Sequence, residues 1–343
     1  MVQYKTMRRN AFSLTLIIVF TIILFGAAGL NIFLIEKSRE ELTRTVLRNP
    51  SDVKTLKNHI IAILPSLSDP FISNISLGIQ VEAEDLETAV QIFPYPPESE
   101  TSESLLSAEA YKYFDIALRA GTDGLIMYFP AGAEIESFIK RAEEFHVPFV
   151  PVTMDLPLKP LSGIVTSDSY AQGKEAASII VSLLGKDARI GVILPSGTPN
   201  SFSISEEPFL QGANLALAEK KKGQIIAVER EEVSILGSEE ACSVMLQNFP
   251  EINAFICTNA RSTISVAQVI IDRGLVGKIL IVGADENAEI NRLLEKGIMQ
   301  ATVVRDAIEM GKAAVKTLRQ IKSGIKPTGV IKVNSNTKYG RTL

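Results

Sequence analysis

The chain alternates short apolar runs with amphipathic stretches that have helical spacing. Four of the runs are rich in Ile, Val, Leu or Phe and are followed by an acid or an amide: Ile60–Leu64, Phe149–Met154, Ala254–Thr258 and Ile279–Ala284. An unbroken apolar run of this length is typical of a strand that is covered on both faces, as the strands of parallel sheets are. The helical stretches between the runs are about 10–15 residues long, and this alternation predicts βαβ units.

The alternation occurs as two successive series. The first begins at His59 and continues to a short strand at 163–165, and the second opens at Arg189 and continues to a strand at 299–304. The pattern therefore predicts an α/β protein with two similar Rossmann-like lobes, each built on a parallel sheet. Ligands of open parallel sheets bind beyond the carboxyl ends of the strands. The acids and amides that follow the four apolar runs are therefore predicted to meet in one shared cleft.

Residues 11–35 form an almost wholly apolar segment, and no charge occurs between Arg9 and Glu36. A helix over this segment would be about 37 Å long, which is enough to cross a hydrocarbon layer of about 30 Å. Basic residues precede it, so the positive-inside bias predicts a single-pass anchor in the cell membrane, with residues 1–10 in the cytoplasm and the rest of the chain outside. A cleaved signal peptide is the alternative, because residues 26–29 are small, although cleavable apolar regions usually span only about 7–15 residues.

Residues 36–57 are highly charged and contain leucine and valine at near-helical spacing. This segment is predicted to be a short, mostly helical stalk between the anchor and the lobes. A coiled-coil dimer is the alternative, but few heptads fit before Pro50.

Composition narrows the function classes. The 343 residues are 46% hydrophobic, which is enough for a large core, and the net charge of −4 argues against nucleic acid as a partner. The chain has no GxSxG, no P-loop and no GxGxxG after a strand, and its only histidines are His59 and His146. We therefore predict no enzyme activity, no cofactor and no metal site. Cys242 and Cys257 are predicted to be buried thiols, with a disulfide as the alternative in an oxidising compartment.

Six segments occur in order along the chain: HIIAILPSLSDPF, VPFVPVTMD, GIVTSDSYAQGKEAA, PEINAFICTN, KILIVGADENAE and GIMQATVVRDAIEMGKAAVKTL. Through them the chain resembles the extracytoplasmic sugar-binding proteins of the ribose/galactose type over residues 58–335. Those proteins have the periplasmic binding protein type I fold, which sugar-responsive repressors also use. The resemblance implies three crossings between the lobes, with residues 58–167 plus 306–331 in the first lobe and residues 168–305 plus 332–343 in the second.

The family's ligand positions fall on Asp69, Phe71, Asp155, Asn259 and Asp285, and all of them keep a suitable chemistry. Carboxylates and amides pair with sugar hydroxyls, while an aromatic ring covers the apolar face of a sugar. Each residue also has a purely structural interpretation. Phe71 is equally typical of a core position, Asp155 of a Pro-rich turn, and the other three of helix N-caps.

The chain departs from the family pattern at further ligand positions. Two arginines of the family are replaced by Leu156 and Glu207, an aromatic residue by Val233, and a polar residue such as glutamine by Arg305. Glu207 and Arg305 therefore join the candidate ligand residues. The alternative is that they pair with one another and fill the cleft, since an unpaired buried charge costs on the order of several kcal/mol.

The resemblance implies a membrane-tethered solute-binding protein that closes around a sugar or sugar-like ligand by hinge motion. Such a protein either delivers its ligand to an ABC permease or signals to a sensor histidine kinase, and the anchor favours the second role. A protein-interaction adaptor of the same fold, ligand-free or ligand-gated, is the alternative. A transcription repressor is disfavoured because residues 1–57 contain an apolar span where a helix-turn-helix would lie, and an enzyme is disfavoured by the missing motifs.

Overall fold

The computed structural model describes residues 56, 58–96, 106–130, 133–154, 161–195, 204, 207–232 and 236–341. The chain divides into two units, Met1–Thr55 and Leu56–Leu343, and every described residue belongs to the second unit. The cytoplasmic segment 1–10, the anchor 11–35 and the stalk 36–57, apart from Leu56, lie outside the described residues and stay predictions. Across the residues that the structure describes, no helix is both long and apolar enough to span a bilayer.

Strands and helices alternate along the described chain. The first series is β1 (Asn58–Pro65), α1 (Pro70–Asp85), β2 (Thr88–Tyr95), α2 (Ala108–Arg119), β3 (Gly124–Phe129), α3 (Glu136–Glu144), β4 (Phe149–Thr153) and β5 (Val165–Ser167). The second series is α4 (Ser169–Leu184), β6 (Arg189–Leu194), α5 (Pro208–Lys220), β7 (Gln224–Arg230), α6 (Gly237–Asn248), β8 (Ala254–Cys257), α7 (Ala260–Asp272), β9 (Leu280–Ala284), α8 (Ala288–Glu295) and β10 (Ala301–Arg305). The chain continues through α9 (Ala307–Lys322), β11 (Ile331–Val333) and β12 (Ser335–Tyr339).

The described strands form two six-stranded sheets. The first has the order β11-β5-β4-β3-β1-β2, and every neighbouring pair is parallel. The second has the order β12-β10-β9-β8-β6-β7, and its pairs are parallel except that β12 runs antiparallel to β10. The predicted two-lobe α/β architecture with parallel sheets is confirmed.

In the described chain the backbone passes between the lobes at three points. After β5 it enters α4, which packs on strands of the second sheet, and after β10 it enters α9, which packs on α1 and on strands of the first sheet. The third crossing joins β11 of the first sheet to β12 of the second. Lys332 and Val333, which the resemblance assigned to the second lobe, instead pair with Thr166 and Ser167 of β5. The first sheet therefore extends to Val333.

Helices cover both faces of each sheet, which explains the unbroken apolar runs. In β1, Ile60, Ala62 and Leu64 pack with α1 and α9, whereas Ile61 and Ile63 pack with α2 and α3 on the opposite face. In the second lobe α4 and α5 cover one face, and α6, α7 and α8 cover the other. Because successive residues of a strand point to opposite faces, burial of both faces leaves the strand interior with few polar positions.

Close helix contacts within each lobe require glycine. A Cβ at Gly78 of α1 would lie 2.0 Å from the carbonyl oxygen of Ile308 at the start of α9. In the second lobe a Cβ at Gly173 of α4 would lie 1.9 Å from the carbonyl oxygen of Phe209 in α5. Each lobe therefore has a pair of helices in backbone contact, which only a residue without a side chain permits.

Cys242 of α6 and Cys257 of β8 are free thiols in the core of the second lobe. Burial raises the pKa of the Cys242 thiol to about 12. The structure therefore agrees with the prediction of buried thiols rather than with a disulfide.

Candidate functional site

A cleft of about 600 Å³ lies at the carboxyl ends of strands from both sheets. Its described lining is 68–72, Asn74, Tyr128 and Met154 from the first lobe, 259–261, 285–287, Val304 and Arg305 from the second, and Ala307 of α9. The volume is typical of small-molecule sites, which span about 300–1,000 Å³. Of the predicted ligand residues, the lining includes Asp69, Phe71, Asn259, Asp285 and Arg305. Asp155 lies outside the described residues, and contact of any of these side chains with a ligand stays a prediction.

Asp285 and Arg305 form a bidentate ion pair in this cleft. The guanidinium Nε of Arg305 donates to Oδ1 of Asp285 at 2.7 Å, and Nη2 donates to Oδ2. The side chain of Asp285 is only 12% exposed, and that of Arg305 is only 6% exposed. Their positions follow from the sheet, because Asp285 comes directly after β9 and Arg305 ends the neighbouring strand β10. Planar carboxylate and guanidinium groups match in this geometry, and the bonds are charge-assisted.

The backbone holds Asp285 in an uncommon conformation. Its φ of 63° lies in the left-handed region, which few residues other than glycine adopt. The hydroxyl of Thr302 donates to the Asp285 carbonyl at 2.8 Å, and the amide of Ala260 donates to Oδ2 at 3.3 Å. Asp285 does not cap the following helix, because Asn287 is the N-cap of α8. A strained residue that is fixed from several sides and faces a cleft is typical of a functional position.

Arg305 also contacts the first lobe. The central carbon of its guanidinium lies 4.4 Å from the ring centroid of Phe71, which is the distance of a cation–π contact. Its Nη1 lies 2.9 Å from the sulfur of Met154, the residue after β4. Phe71 packs against the first lobe's core with only part of its side chain, so it serves as both a core residue and a cleft residue.

Asp69 and Asn259 combine a helix cap with a place in the cleft lining. Asp69 is the N-cap of α1 and accepts from the amide of Phe71 at 2.8 Å. Asn259 caps α7 in a reciprocal capping box with Ser262. The structural interpretation of these two residues is therefore correct, and it does not remove them from the cleft, because a helix that begins at the carboxyl edge of a sheet places its N-cap there.

Glu231 is a buried carboxylate that the sequence reading missed. It accepts from Nδ2 of Asn259 at 3.0 Å, from Nη2 of Arg261 at 2.7 Å and from the hydroxyl of Ser238. Its side chain is 1% exposed. In the structure it comes directly after a strand, since Arg230 is the last residue of β7, but the apolar pattern of the sequence ends before this position. Glu231 orients both Asn259 and Arg261, which line the cleft.

Glu207 pairs with Arg230 of β7 and not with Arg305. It is not among the described residues that line the cleft. The sheet order explains this, because Glu207 precedes α5, which follows β6, and β6 neighbours β7. Arg305 ends β10, which is three strands away from β6, or about 14 Å at a spacing of about 4.8 Å. The hypothesis that Glu207 and Arg305 pair with one another is therefore wrong.

The charges that line the cleft are mostly compensated. Asp285 neutralises Arg305, Glu231 neutralises Arg261, and a hydrogen bond from Lys338 lowers the pKa of the Glu286 carboxyl. Among the described residues, no group of His, Cys, Asp and Glu side chains is arranged to hold a metal ion. The arrangement offers amides, carboxylates and an aromatic ring around a partly apolar cavity, and this chemistry suits a neutral polar small molecule.

Comparison with known proteins agrees with the fold. Residues 60–326 match the model of a family described as periplasmic binding protein domain. The D-allose-binding periplasmic protein of Escherichia coli is 28% identical over 265 residues, which are 75% of this chain and 82% of that protein. The HTH-type transcriptional regulator DegA of Bacillus subtilis is 28% identical over 218 residues, which are 62% of this chain and 60% of that protein.

Solved structures share the same architecture. GanP, a glucose-galactose binding protein from Geobacillus stearothermophilus, has a TM-score of 0.68 and 24% identity, and the match covers 83% of this chain and 98% of GanP. A chain of the XylFII–LytSN complex has a TM-score of 0.66 and 20% identity, and the match covers 82% of this chain and 98% of that chain. These likenesses concern the fold alone. The family match, however, covers more than half of the chain, and the chain therefore belongs to the periplasmic binding protein domain family.

Proposed function

We propose that the protein binds a sugar or sugar-like small molecule in the cleft between its lobes. The observation that supports this most directly is the mixed lining of the cleft, in which Asp69, Asn74 and Phe71 of the first lobe face Asn259 and Asp285 of the second. A ligand that bonds to both sets gains contacts only when the lobes come together, which is the physical basis of hinge closure around a ligand.

The compensated charges favour a neutral ligand over an ionic one. An anionic ligand needs uncompensated cations, but both arginines of the described lining are bonded to carboxylates. Hydroxyl groups donate and accept at once, so a polyhydroxylated molecule pairs equally well with the carboxylate of Asp69 and with the amides of Asn74 and Asn287. The sugar-binding relatives are consistent with this class.

We further propose that residues 11–35 tether the protein to the cell membrane, with the lobes outside the cytoplasm. In this arrangement the protein either supplies an ABC permease or signals to a sensor histidine kinase. The presence of XylFII in a complex with LytSN gives precedent for a protein partner of this fold. The tether favours signalling, because a carrier that serves an importer gains from free diffusion.

A ligand screen on the unit Leu56–Leu343, which includes both sheets and their cores, tests the binding proposal. Pentoses, hexoses, disaccharides and sugar alcohols are compared by thermal unfolding, and a ligand at about 100 times its Kd should add about 2.7 kcal/mol of stability. Asn74→Ala removes an amide of the cleft and should weaken binding. Ser73→Ala, on the same helix but outside the cleft lining, is the matched control. No stabilisation by any of these compounds would contradict sugar binding and favour the adaptor role.

Membrane attachment has a separate test. The full-length protein should sediment with membranes and resist extraction by carbonate and high salt, and its C-terminus should be accessible to protease from outside. A mature N-terminus near Ala28 would show instead that the apolar segment is a cleaved signal.

A further inference from the structure

The guanidinium of Arg305 lies against the two groups of the cleft that suit a sugar ring best. Its central carbon lies over the Phe71 ring, 4.4 Å from the ring centroid, and its nitrogens donate to both carboxylate oxygens of Asp285. In a sugar site, an aromatic ring of the protein covers the apolar face of the sugar, and a planar carboxylate accepts hydrogen bonds from two neighbouring hydroxyls. The guanidinium is flat and has a fork of donors, so it matches both surfaces as a sugar would.

We propose that Arg305 is a tethered occupant of the sugar site, which competes with the ligand for Phe71 and Asp285 and thereby determines which ligands bind. The proposal rests on the proposed function, because it concerns the same cleft. A neutral monosaccharide that needs both surfaces must first displace the guanidinium, and its affinity falls by the free energy of that displacement. A ligand that bonds mainly to the other side of the cleft, around Asn74 and Asn259, does not incur this loss.

The surroundings make the displacement unfavourable. Thr302 holds the backbone carbonyl of Asp285 and the amide of Ala260 holds its carboxylate, so the carboxylate stays in place when the guanidinium leaves. The backbone of Arg305 is held in β10 by pairing with Ser335 of β12. The pair is almost completely buried, and a buried ion pair that is broken without replacement is strongly unfavourable.

The same contacts join the lobes through protein atoms alone. Arg305 belongs to the second sheet, whereas Phe71 lies in the first turn of α1 and Met154 follows β4 of the first lobe. Arg305 is also the last residue of β10, after which the chain crosses to α9. Removal of the guanidinium should therefore have two effects: it should free the ligand surfaces, and it should weaken the contact between the lobes.

The test compares sugar binding by the unit Leu56–Leu343 and its Arg305→Gln variant in calorimetric titrations with neutral monosaccharides. Glutamine is polar but lacks the positive charge and the paired N–H donors of the guanidinium. The variant should therefore bind the sugar at least about tenfold more tightly, which corresponds to about 1.4 kcal/mol. Arg292→Gln removes the same charge from an exposed pair with Glu289 on α8 and should leave the affinity unchanged. Equal or weaker binding by Arg305→Gln would overturn the proposal and leave sugar binding itself intact.

Arg305→Lys is the second variant, because it keeps a positive charge beside Asp285 and so preserves folding. The lysine ammonium neither stacks flat nor bonds bidentately, so this variant should also bind more tightly, to a smaller extent. If neither the wild type nor the variants bind any sugar, the proposed function fails. Small-angle X-ray scattering then tests whether Arg305 holds the two lobes together. The radius of gyration without sugar should increase in both Arg305 variants but not in Arg292→Gln, and an unchanged radius would overturn the role of Arg305 between the lobes.

Discussion

Replacement of Asp285 by asparagine removes the charge that Arg305 binds and changes little else. Asparagine tolerates the left-handed conformation of Asp285, so the substitution adds little backbone strain. Its amide nitrogen, however, would face guanidinium donors that now bond to both carboxylate oxygens. The variant therefore keeps a buried guanidinium but loses its counter-charge.

The expected loss follows from burial of the pair. The side chains of Arg305 and Asp285 are 6% and 12% exposed, and breaking a buried ion pair costs about 3–5 kcal/mol. We therefore expect Asp285→Asn to lower the free energy of unfolding by about 3 kcal/mol. The pair of Arg292 and Glu289 is a control, because its side chains are 64% and 48% exposed. Glu289→Gln should cost less than about 0.5 kcal/mol.

Urea unfolding of the unit Leu56–Leu343, followed by circular dichroism, measures these changes. A double-mutant cycle combines Asp285→Asn with Arg305→Met, which keeps an apolar contact with Phe71. The double variant should recover much of the loss, because it contains no unpaired buried charge, and the coupling energy should be about 2 kcal/mol or more. A coupling energy below about 0.5 kcal/mol would refute the reasoning.

Three further predictions concern stability. Gly78→Ala should lower the free energy of unfolding by about 1–3 kcal/mol, because the new Cβ would lie 2.0 Å from a carbonyl oxygen of α9. Glu231→Gln should cost about 1–3 kcal/mol, because its buried carboxylate accepts from three donors, whereas the exposed neighbour Glu232→Gln should cost less than about 0.5 kcal/mol. Asp123→Asn should lower stability at neutral pH, and the loss should shrink as the pH falls below 3.8, because a hydrogen bond from Lys322 lowers the carboxyl's pKa and is lost on protonation.

Urea unfolding measures the change in stability for all three variants, and a different result would contradict each prediction. Ser73→Ala on the exposed side of α1 is the control for Gly78→Ala, and equal stability of these two variants would contradict the close contact of α1 with α9. Equal losses for the Glu231 and Glu232 variants would contradict the buried network. A loss in Asp123→Asn that does not change with pH would mean that the carboxyl's ionisation does not contribute to folding.

Local periodicity was sufficient to predict most of the elements and the site's general location. In β1 both Ile61 and Ala62 are buried, on opposite faces, and such a strand is visible in the sequence as an unbroken apolar run. The positions of Asp69, Asn259 and Asp285 beyond strand ends predicted a shared cleft, because the carboxyl ends of parallel strands lie at one edge of a sheet. All three residues line the cleft.

The same reasoning failed where a strand lies at the edge of a sheet. The apolar run of this strand ends at Val228, but β7 continues to Arg230, so the apolar pattern does not show that Glu231 directly follows a strand. β7 is the outermost strand of the second sheet, and an edge strand accepts charged residues because one side of it reaches solvent. Hydrophobicity therefore does not mark its end.

The sequence by itself predicted several of the residues that reach the cleft, among them Asp69, Asn259 and Asp285. Only the tertiary structure decided how the charged side chains of the cleft pair. Met154 and Arg305 are 151 positions apart, yet their side chains are in contact. Arg305 binds Asp285 because β10 lies beside β9, and Glu207 binds Arg230 because β6 lies beside β7. Each partner is set by strand order, which results from packing of the whole sheet, and local periodicity contains no information about it. Charge interactions act over a few ångströms, so a difference of three strands is enough to change the partner.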